Sequence, residues 1–388
     1  MMSTSDFDFE RMLHPIDSST FLTQYWEKRP CLVSRSEQDY YSELLSTKDV
    51  DSIIQAHGSD LGNTRLVKEG SCFSHNDDVE LNHFYKAYAL GYTVIVGGIN
   101  ERWQPISTLH RNLEVFFNHP TKINLYMSPK NSQGFPPHFD DHDVFILQVE
   151  GSKNWRIYDS PIALPLVSDL KYQDKFKNQL KSPVAEFCLN AGDLLYIPRG
   201  YIHEVFTTES PSLHLTIGIY SFKWFDLINS AVTLLTQKDV RFRESLPVGF
   251  LQQGEAKVSL QEQFQELLQT LADKSEAELA IEEIATRFLG KMSPLANEHF
   301  YQLQNIENLT LDTIVKKRKG IYRVIKTISQ VGIQFAGNTV MESNRSERAI
   351  RFIVDSEEFP IRALPGLIDN SKLNLVCRLI QEGILTIA

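Results

Sequence analysis

The chain has few cysteines, and no two of them lie close together in the sequence. Only four of its 388 residues are cysteine, and no Cys-x-x-Cys occurs. Neither a disulfide framework nor a zinc knuckle is indicated, so reduced thiols in a cytoplasmic protein are expected. No apolar run approaches the ~18 residues of a membrane helix. The acidic start MMSTSDFDFERML lacks the basic and apolar regions of a secretory signal. We therefore expect no membrane association.

Basic charge is also scarce over most of the chain. The 49 acidic residues outnumber the 39 lysines and arginines, which gives a net charge of −10 at pH 7. This balance argues against nonspecific nucleic-acid binding by the whole chain. From Leu311 onward twelve Lys or Arg face eight Asp or Glu, and the densest basic run is KKRK at 316–319. The run gives weak support for a nucleic-acid contact, and the small surplus favours a solvated surface instead.

The first part of the chain has the pattern of an antiparallel β protein. Short apolar runs such as TVIVGGI (Thr93 to Ile99), INLYM (Ile123 to Met127) and VFILQV (Val144 to Val149) are mostly separated by turn-forming residues. Many short strands with such turns predict a sandwich or barrel rather than alternating strand–helix units. The sequence predicts a first domain at residues 1–222, with a barrel core at about 90–222.

The pattern becomes helical from about residue 223 to 305. Two apolar stripes with helical spacing consist of Phe264, Leu267, Leu268 and Leu271, and of Ile281, Ile284, Ala285 and Phe288. Each stripe must be buried, either on the barrel or against a second copy of the chain. In the last region, 306–388, the end SKLNLVCRLIQEGILTIA predicts a helix, a stop at Gly383 and a short strand. A small domain such as a winged helix fits this pattern.

His138 and Asp140 form the first half of a candidate metal site. They are two residues apart in PPHFDDHDVF, and residues i and i+2 of a β-strand project from the same face. A His-x-Asp tripeptide alone is weak evidence, because it recurs by chance in many chains. On a longer strand His142 would share that face, which makes it the rival ligand. Asp141 and Asp143 should point to the opposite face.

His203 supplies the second half. In AGDLLYIPRGYIHEV the spacing of Gly192, Pro198, Gly200 and His203 resembles the second motif of the cupin superfamily. Pro198 and Gly200 predict a tight turn after the strand LLYIP, so His203 begins the next strand near the barrel mouth. Two histidines and one carboxylate with open positions form the facial triad of non-haem Fe(II) oxygenases. A lone histidine is usually structural, but the three residues with these flanks favour a metal site.

The longest motif runs from Asn124 to Tyr158 and reads N-x-Y-x-x-P…SQG…PPH-x-DD-x-DVFILQ-x-EG-x-K-x-W-R. With HPIDSSTFLTQYWEKRPCLVSR at 14–35, it resembles the JmjC ribosomal oxygenases, which include bacterial arginine hydroxylases and eukaryotic histidine hydroxylases of ribosomal proteins. The resemblance covers most of the chain. It implies a double-stranded β-helix (jelly-roll) JmjC domain, a helical dimerisation region at 223–305 that forms a homodimer, and a winged-helix-like domain at 306–388.

The resemblance also implies a cofactor, a co-substrate and the residues that bind them. His138, Asp140 and His203 match the ligands of Fe(II). Lys153 matches the cation that pairs with the distal carboxylate of 2-oxoglutarate, whereas its place in the segment EGSKN would by itself favour a surface lysine. Three further matched positions are Asn124 and Thr216 near the co-substrate and Tyr126 in the substrate pocket. His214 shares the strand face of Thr216, and Trp155 and Phe145 are assigned to the core.

Gly218 departs from the family's pattern. Histidine-hydroxylating relatives carry a serine two residues after the strand threonine, where it helps to hold the target, whereas this chain reads Thr216-Ile217-Gly218-Ile219. The run HFDDHDVFILQVEGSKNW is nevertheless closer to the histidine branch, so the target stays open between histidine and arginine. The expected function is hydroxylation of a ribosomal protein.

Two other functions compete with this expectation. The first is a JmjC enzyme that demethylates lysine or hydroxylates another protein. The second is a non-catalytic metal-binding cupin with a nucleic-acid-binding C-terminal module. Lys153 disfavours the second, because a structural metal site has no use for a cation that binds a carboxylate.

Overall fold

The computed structural model describes residues 7–57, 64–72, 81–177, 180–251, 255–294 and 298–388. The chain divides into two compact units, Met1–Ser221 and Phe222–Ala388. The helices described in the first unit are α1 (Phe9–Leu13), α2 (Ser18–Gln24), α3 (Thr47–His57), α4 (Leu81–Ala89), α5 (Gln104–Phe117) and α6 (Gln173–Lys177). The strands are β1 (Cys31–Val33), β2 (Thr64–Lys68), β3 (Ser71–Cys72), β4 (Thr93–Val96), β5 (Thr121–Ser128), β6 (Asp143–Ile157), β7 (Ala185–Asn190), β8 (Leu194–Ile197), β9 (His203–Phe206) and β10 (Ser212–Ile219).

The long strand β6 organises the first unit. Its first half pairs with β8 and β10, and its second half pairs with β7 and β9. The two halves meet at Gly151, where φ is 67° and an ideal Cβ would lie 1.9 Å from the carbonyl oxygen of Pro211. Glycine is therefore required at this bend. The main sheet runs β1-β8-β6-β10-β5-β4-β2-β3 with antiparallel pairings, which confirms the predicted class of β fold.

Three predicted strands are confirmed as β4, β5 and β6, with one consequence for the site. Strand β6 continues to Ile157, so the segment EGSKN belongs to a strand and is not an exposed turn.

The prediction that His138 and Asp140 lie on a β-strand is wrong. His138 makes only an isolated bridge to His203, and β6 begins at Asp143. Pro136 and Pro137 precede this segment and have no backbone N–H to donate to a ladder.

An aromatic core lies beneath the N-terminal helices. The fully buried ring of Phe145 has its centroid 5.8 Å from Phe9, 5.4 Å from Phe21 and 4.9 Å from Tyr196. Phe145 is thus a core residue, as predicted. Burying a phenylalanine side chain contributes about 1.5–3 kcal/mol, so these contacts hold α1 and α2 firmly against the sheet.

The second unit contains helices and two small sheets. Its described helices are α7 (Trp224–Lys238), α8 (Glu255–Lys274), α9 (Ala277–Lys291), α10 (His299–Gln304), α11 (Glu347–Asp355) and α12 (Asp369–Gln381). The strands are β11 (Ile314–Lys317), β12 (Arg323–Lys326), β13 (Gln330–Phe335), β14 (Asn338–Ser343), β15 (Glu358–Pro360) and β16 (Leu385–Ile387), in sheets ordered β15-β11-β16 and β12-β13-β14. The predicted terminal helix, Gly383 stop and strand are confirmed, with Gly383 at φ 80°.

The two predicted helical stripes are confirmed as parts of α8 and α9, but their burial differs. Phe288 is buried, whereas Phe264 and Leu268 are about half exposed, at 53% and 48%. The helices of this unit therefore present apolar surface. Within the described residues, no helix combines the length and the apolar character that crossing a bilayer requires.

Candidate metal centre

His138, Asp140 and His203 converge within the first unit. Their ligand atoms all lie within 4.8 Å of one another, and His203 Nε2 is 3.7 Å from Asp140 Oδ2. The backbones of His138 and His203 exchange hydrogen bonds of 3.1 and 2.8 Å, and the Gly200 N–H donates to the Asp140 carbonyl over 3.0 Å. Two distant segments are thereby held as one group of potential ligands.

Each histidine ring is oriented by the backbone carbonyl oxygen of the residue two positions earlier. His138 Nδ1 lies 2.9 Å from the carbonyl oxygen of Pro136, and His203 Nδ1 lies 3.2 Å from that of Tyr201. A carbonyl oxygen only accepts, so each Nδ1 carries the proton and each Nε2 presents a lone pair. Burial lowers the pKa of His203 to about 4. This ring is therefore neutral at pH 7, as metal binding requires.

Asp140 adds a negative charge to the two imidazoles. Burial by itself would raise the pKa of Asp140, but His142, His138 and His203 hold it below its usual value. The group is a carboxylate at neutral pH. Two nitrogens and one oxygen suit the facial triad of non-haem Fe(II). Over the part of the chain that the structure describes, no other set of three His, Cys, Asp or Glu side chains converges in this way.

A cavity of about 710 Å³ adjoins the three side chains. Strands β5 and β10 form one wall, and their register pairs Asn124 with Thr216 and Tyr126 with His214. Alternate residues of a strand face the same side, so all four predicted residues line the cavity. The rings of Tyr126 and His214 are stacked, with centroids 4.9 Å apart and an interplanar angle of 8°.

Lys153 extends from β6 into this cavity and is only 3% exposed. Its ammonium donates to Ser128 Oγ over 2.9 Å, and Ser128 Oγ lies 2.9 Å from Thr93 Oγ1. Among the described residues, no carboxylate lies within ion-pair distance of Lys153. Burial lowers its pKa to about 7. Because an unpaired buried charge is costly, the position suits an anionic ligand.

The polar groups of the cavity differ in whether they already have a hydrogen-bond partner in the protein. Asn124 Oδ1 accepts a hydrogen bond of 3.0 Å from the Gly98 N–H, which orients the side chain and leaves its amide N–H₂ available to a ligand. His214 Nδ1 and Trp155 Nε1 are buried without a hydrogen-bond partner in the described parts of the chain. Trp155, predicted to be in the core, is buried and also lines the cavity. Such unpaired groups are suited to a ligand or an ordered water.

His142 occupies the space above Gly218. Its ring stacks on Tyr220 with centroids 4.4 Å apart, and its Nδ1 is 3.2 Å from Asp141 Oδ1. An ideal Cβ on Gly218 would lie 2.7 Å from His142 Cδ2. His142 is outside the converging group, although it lines the cavity. Gly218, predicted as a substrate-binding position, lies beneath the ring and does not itself line the cavity.

Replacing Gly218 with serine is expected to displace the His142 ring. Overpacking of this kind costs about 1–3 kcal/mol, which urea unfolding will detect as a lower transition midpoint. Gly290→Ala is the control, because an ideal Cβ there meets nothing within 4 Å. Gly290 lies in α9, so alanine should be neutral or stabilising by up to ~1 kcal/mol. An unchanged midpoint for Gly218→Ser would contradict the placement of His142.

Some site residues could not be found from the sequence. Arg65 and Tyr220 line the cavity, and Thr93 and Ser128 form the hydroxyl pair next to Lys153. Arg65, Thr93 and Tyr220 lie outside recognisable motifs. Ser128 alone had a usable signal, because it continues the alternation of Asn124 and Tyr126 on β5.

The sequence of the chain is similar to a known family. Residues 100–227 match the family model of the JmjC domain. Ribosomal oxygenase 1 of Danio rerio is 32% identical over 264 residues, which cover 63% of this chain and 47% of that protein. Ribosomal oxygenase 2 of Rattus norvegicus is 32% identical over 289 residues, covering 71% and 61%. The bifunctional lysine-specific demethylase and histidyl-hydroxylase NO66 of Aedes aegypti is 29% identical over 300 residues, covering 72% and 47%.

The fold has a counterpart of similar length. The ribosomal oxygenase YcfD of Escherichia coli, solved in complex with cobalt and 2-oxoglutarate, matches with a TM-score of 0.55 at 17% identity, over 96% of this chain and 98% of that one. The antiparallel barrel and its converging His-Asp-His group thus define a cupin-type JmjC domain. Residues 100–227 thus form a JmjC domain, and the chain is similar to ribosomal oxygenases over 63–71% of its length. It spans about half to three fifths of the length of the curated relatives described above.

Proposed function

We propose that the protein is an Fe(II)- and 2-oxoglutarate-dependent hydroxylase of a ribosomal-protein side chain. The observation that carries this proposal is the convergence of His138, Asp140 and His203 beside a cavity containing the buried cation Lys153. The names of the curated relatives support the substrate class, because they are ribosomal oxygenases or a histidyl-hydroxylase. Histidine and arginine are the two candidate targets.

The residues of the site fit iron and a small diacid. His138 Nε2, His203 Nε2 and the Asp140 carboxylate would hold the ion, and three protein ligands leave coordination positions open. Bound iron would supply the activation of O₂ that hydroxylation of an unactivated C–H bond requires, with 2-oxoglutarate converted to succinate and CO₂.

The remaining work belongs to the protein. Lys153, oriented by Ser128, would pair with the distal carboxylate of 2-oxoglutarate, and Thr216 with the amide of Asn124 would add hydrogen bonds. Tyr126 lines the same cavity, where it would contact the target side chain. Holding the target carbon in place and excluding water are the main contributions that such a site makes.

Ribosomal proteins from cells with and without the gene provide the decisive test. Mass spectrometry is expected to show one ribosomal protein lacking one oxygen atom in cells without the gene, and fragment spectra will locate it on histidine or arginine. The purified protein should restore that atom and release succinate in equal amount. Identical masses would contradict the ribosomal substrate, and absence of succinate release would contradict the oxygenase.

Binding of 2-oxoglutarate is expected to take up a proton above pH 7. The pKa of Lys153 is about 7 in the free protein, so the amine is mostly neutral at pH 8.5, and a paired carboxylate would recharge it. Calorimetry in buffers of different ionisation enthalpy should then report close to one proton at pH 8.5 and none at pH 5.5. The same titration of Lys153→Met, which has no titrating amine, should show no uptake at either pH. Equal uptake by the variant would contradict the role of Lys153.

Lys153 also makes the free energy of unfolding depend on pH. Its pKa is about 7 in the folded protein against the ordinary value of 10.5. Between these values the unfolded chain binds more protons, so this group makes stability rise with pH. The gain in stability from Lys153 is absent below pH 7 and complete above pH 10.5.

A homodimer through residues 223–305 is also proposed. Helix α7 exposes Trp224 by 80% and Phe225 by 54%, and Ile228 lies one turn further along the same helix. Exposed apolar clusters of this kind mark interfaces. Light scattering is expected to give twice the mass of one chain, and the mass of a single chain would contradict the dimer.

Residues 306–388 are proposed to form a winged-helix-like domain, because α11 and α12 share one apolar core with the adjoining strands. Lys317 of the basic run is buried and lies 3.6 Å from Glu357, which favours a structural role over nucleic-acid binding for that residue. The four free cysteines support the proposed cytoplasmic location.

A further inference from the structure

A closed ring of polar contacts lies outside the cavity and beside the metal-binding residues. Arg199 donates to Asp143 Oδ2 over 2.6 Å through Nη1 and lies 2.6 Å from Glu27 Oε1 through Nη2. The Tyr196 hydroxyl donates to Asp143 Oδ1 over 2.7 Å and accepts from the Glu27 N–H over 2.9 Å. We call these four residues the Asp143–Arg199 network.

Three of the four residues are buried, the side chain of Glu27 is 33% exposed, and the network does not take part in the cavity. Asp143 and Tyr196 are 0% exposed and Arg199 is 6% exposed, and none of the four residues lines the cavity. A buried ion pair is weak evidence for a contribution to stability, because well-packed apolar residues of similar volume often serve as well or better. The presence of the network therefore calls for a geometric explanation.

The position of the Asp143–Arg199 network in the fold supplies a geometric explanation. Asp143 opens β6 directly after the segment that carries His138 and Asp140, and Arg199 lies in the turn between β8 and His203. The segment 138–142 has no regular strand pairing of its own. Two contacts join this segment and the start of β6 to that turn, namely the pair of Asp143 with Arg199 and the bond from the Gly200 N–H to the Asp140 carbonyl. They act at adjacent points of the same turn.

We propose that Asp143 and Arg199 are positioning residues, which hold the Asp140-bearing segment against the His203-bearing turn so that the three side chains converge before metal arrives. Tyr196 and Glu27 fix the two charged groups. This inference rests on the proposed metal site. A site whose ligands are pre-positioned binds its ion more tightly than one that must first be assembled.

Titration with cobalt(II), followed by calorimetry and by the visible absorption of the bound ion, tests the proposal without using activity. Asp143→Asn is expected to raise the Kd for cobalt by roughly 10–100-fold, the range found for residues that support metal ligands. The absorption spectrum of bound cobalt should also change, because the ligands no longer meet in one geometry. A purely structural role would lower Tm and leave both readouts unchanged.

Glu114→Gln is the matched control. Glu114 is also a buried carboxylate paired with an arginine, at 3.3 Å from Arg111, but both residues lie on α5. This variant should lose thermal stability and keep the cobalt Kd within about twofold, since it does not contact the ligand segments. A matching loss of affinity in Glu114→Gln would show that general destabilisation explains the result and would overturn the proposal.

Tyr196→Phe keeps the test decisive if Asp143→Asn does not fold. It removes the hydrogen bond to Asp143 and the one from the Glu27 N–H, and it keeps the aromatic ring in the core. A rise of about three- to tenfold in Kd is expected from the loss of the bond to Asp143, equivalent to one ordinary hydrogen bond. Wild-type protein that binds no cobalt would contradict the metal site itself. Wild-type binding with unchanged Kd and spectrum in the folded variants would contradict the positioning role alone.

Discussion

Replacing Asp140 with alanine is expected to abolish metal binding and 2-oxoglutarate turnover together. The variant leaves two imidazoles and removes the only carboxylate of the group, while the backbone bond from Gly200 to residue 140 can persist. Loss of a direct ligand should exceed the roughly 10–100-fold cost of losing an outer partner. Succinate release with saturating Fe(II), together with cobalt titration, measures both effects.

Asp141→Ala is the control for this variant. Asp141 is the adjacent carboxylate, but it bonds to His142 and does not belong to the converging group. Its removal should leave the cobalt Kd within about threefold, because it perturbs the site only through a neighbouring ring. Asp140→Ala protein that decarboxylates 2-oxoglutarate at the wild-type rate with added Fe(II) would show that the ligand assignment is wrong.

Replacing Lys153 with methionine is expected to weaken 2-oxoglutarate binding while stabilising the folded protein. Truncating one member of a buried charge pair costs about 2–5 kcal/mol of binding free energy, which corresponds to at least a roughly 30-fold rise in KM. Methionine has similar length and no charge, and the lysine lies buried without a carboxylate partner among the described residues. The Tm of the ligand-free variant should therefore rise. The opposite signs of the two effects separate binding from folding.

Lys122→Met provides the comparison for Lys153. Lys122 also lines the cavity, but it is exposed to solvent, where a charge is screened and interacts weakly. Its KM for 2-oxoglutarate should stay within about twofold of the wild-type value. Wild-type KM in Lys153→Met, or an equal rise in both variants, would remove the argument for a specific diacid-binding cation.

The candidate metal residues could be predicted from motifs even though one step of the reasoning was wrong. The spacing of His138 and Asp140 predicted a regular strand, but the structure has no regular strand there. The two residues nevertheless converge with His203. Pro136 and Pro137 have no N–H for a ladder, but the next residue, His138, exchanges two backbone hydrogen bonds with His203. The conclusion that the ligand atoms converge therefore held although the assigned secondary structure was wrong.

Periodicity and motif spacing by themselves determined the antiparallel β class, the helices that contain the stripes at 264–271 and 281–288, the closing helix and strand, and the three residues that converge. These features depend on neighbours within a few positions or on a motif that resembles a family. Only the tertiary structure decided that Lys153 is buried, that His142 covers Gly218, and that Asp143 meets Arg199. The physical reason is that burial and pairing are set by which distant strands pack together, and local spacing carries no record of that packing.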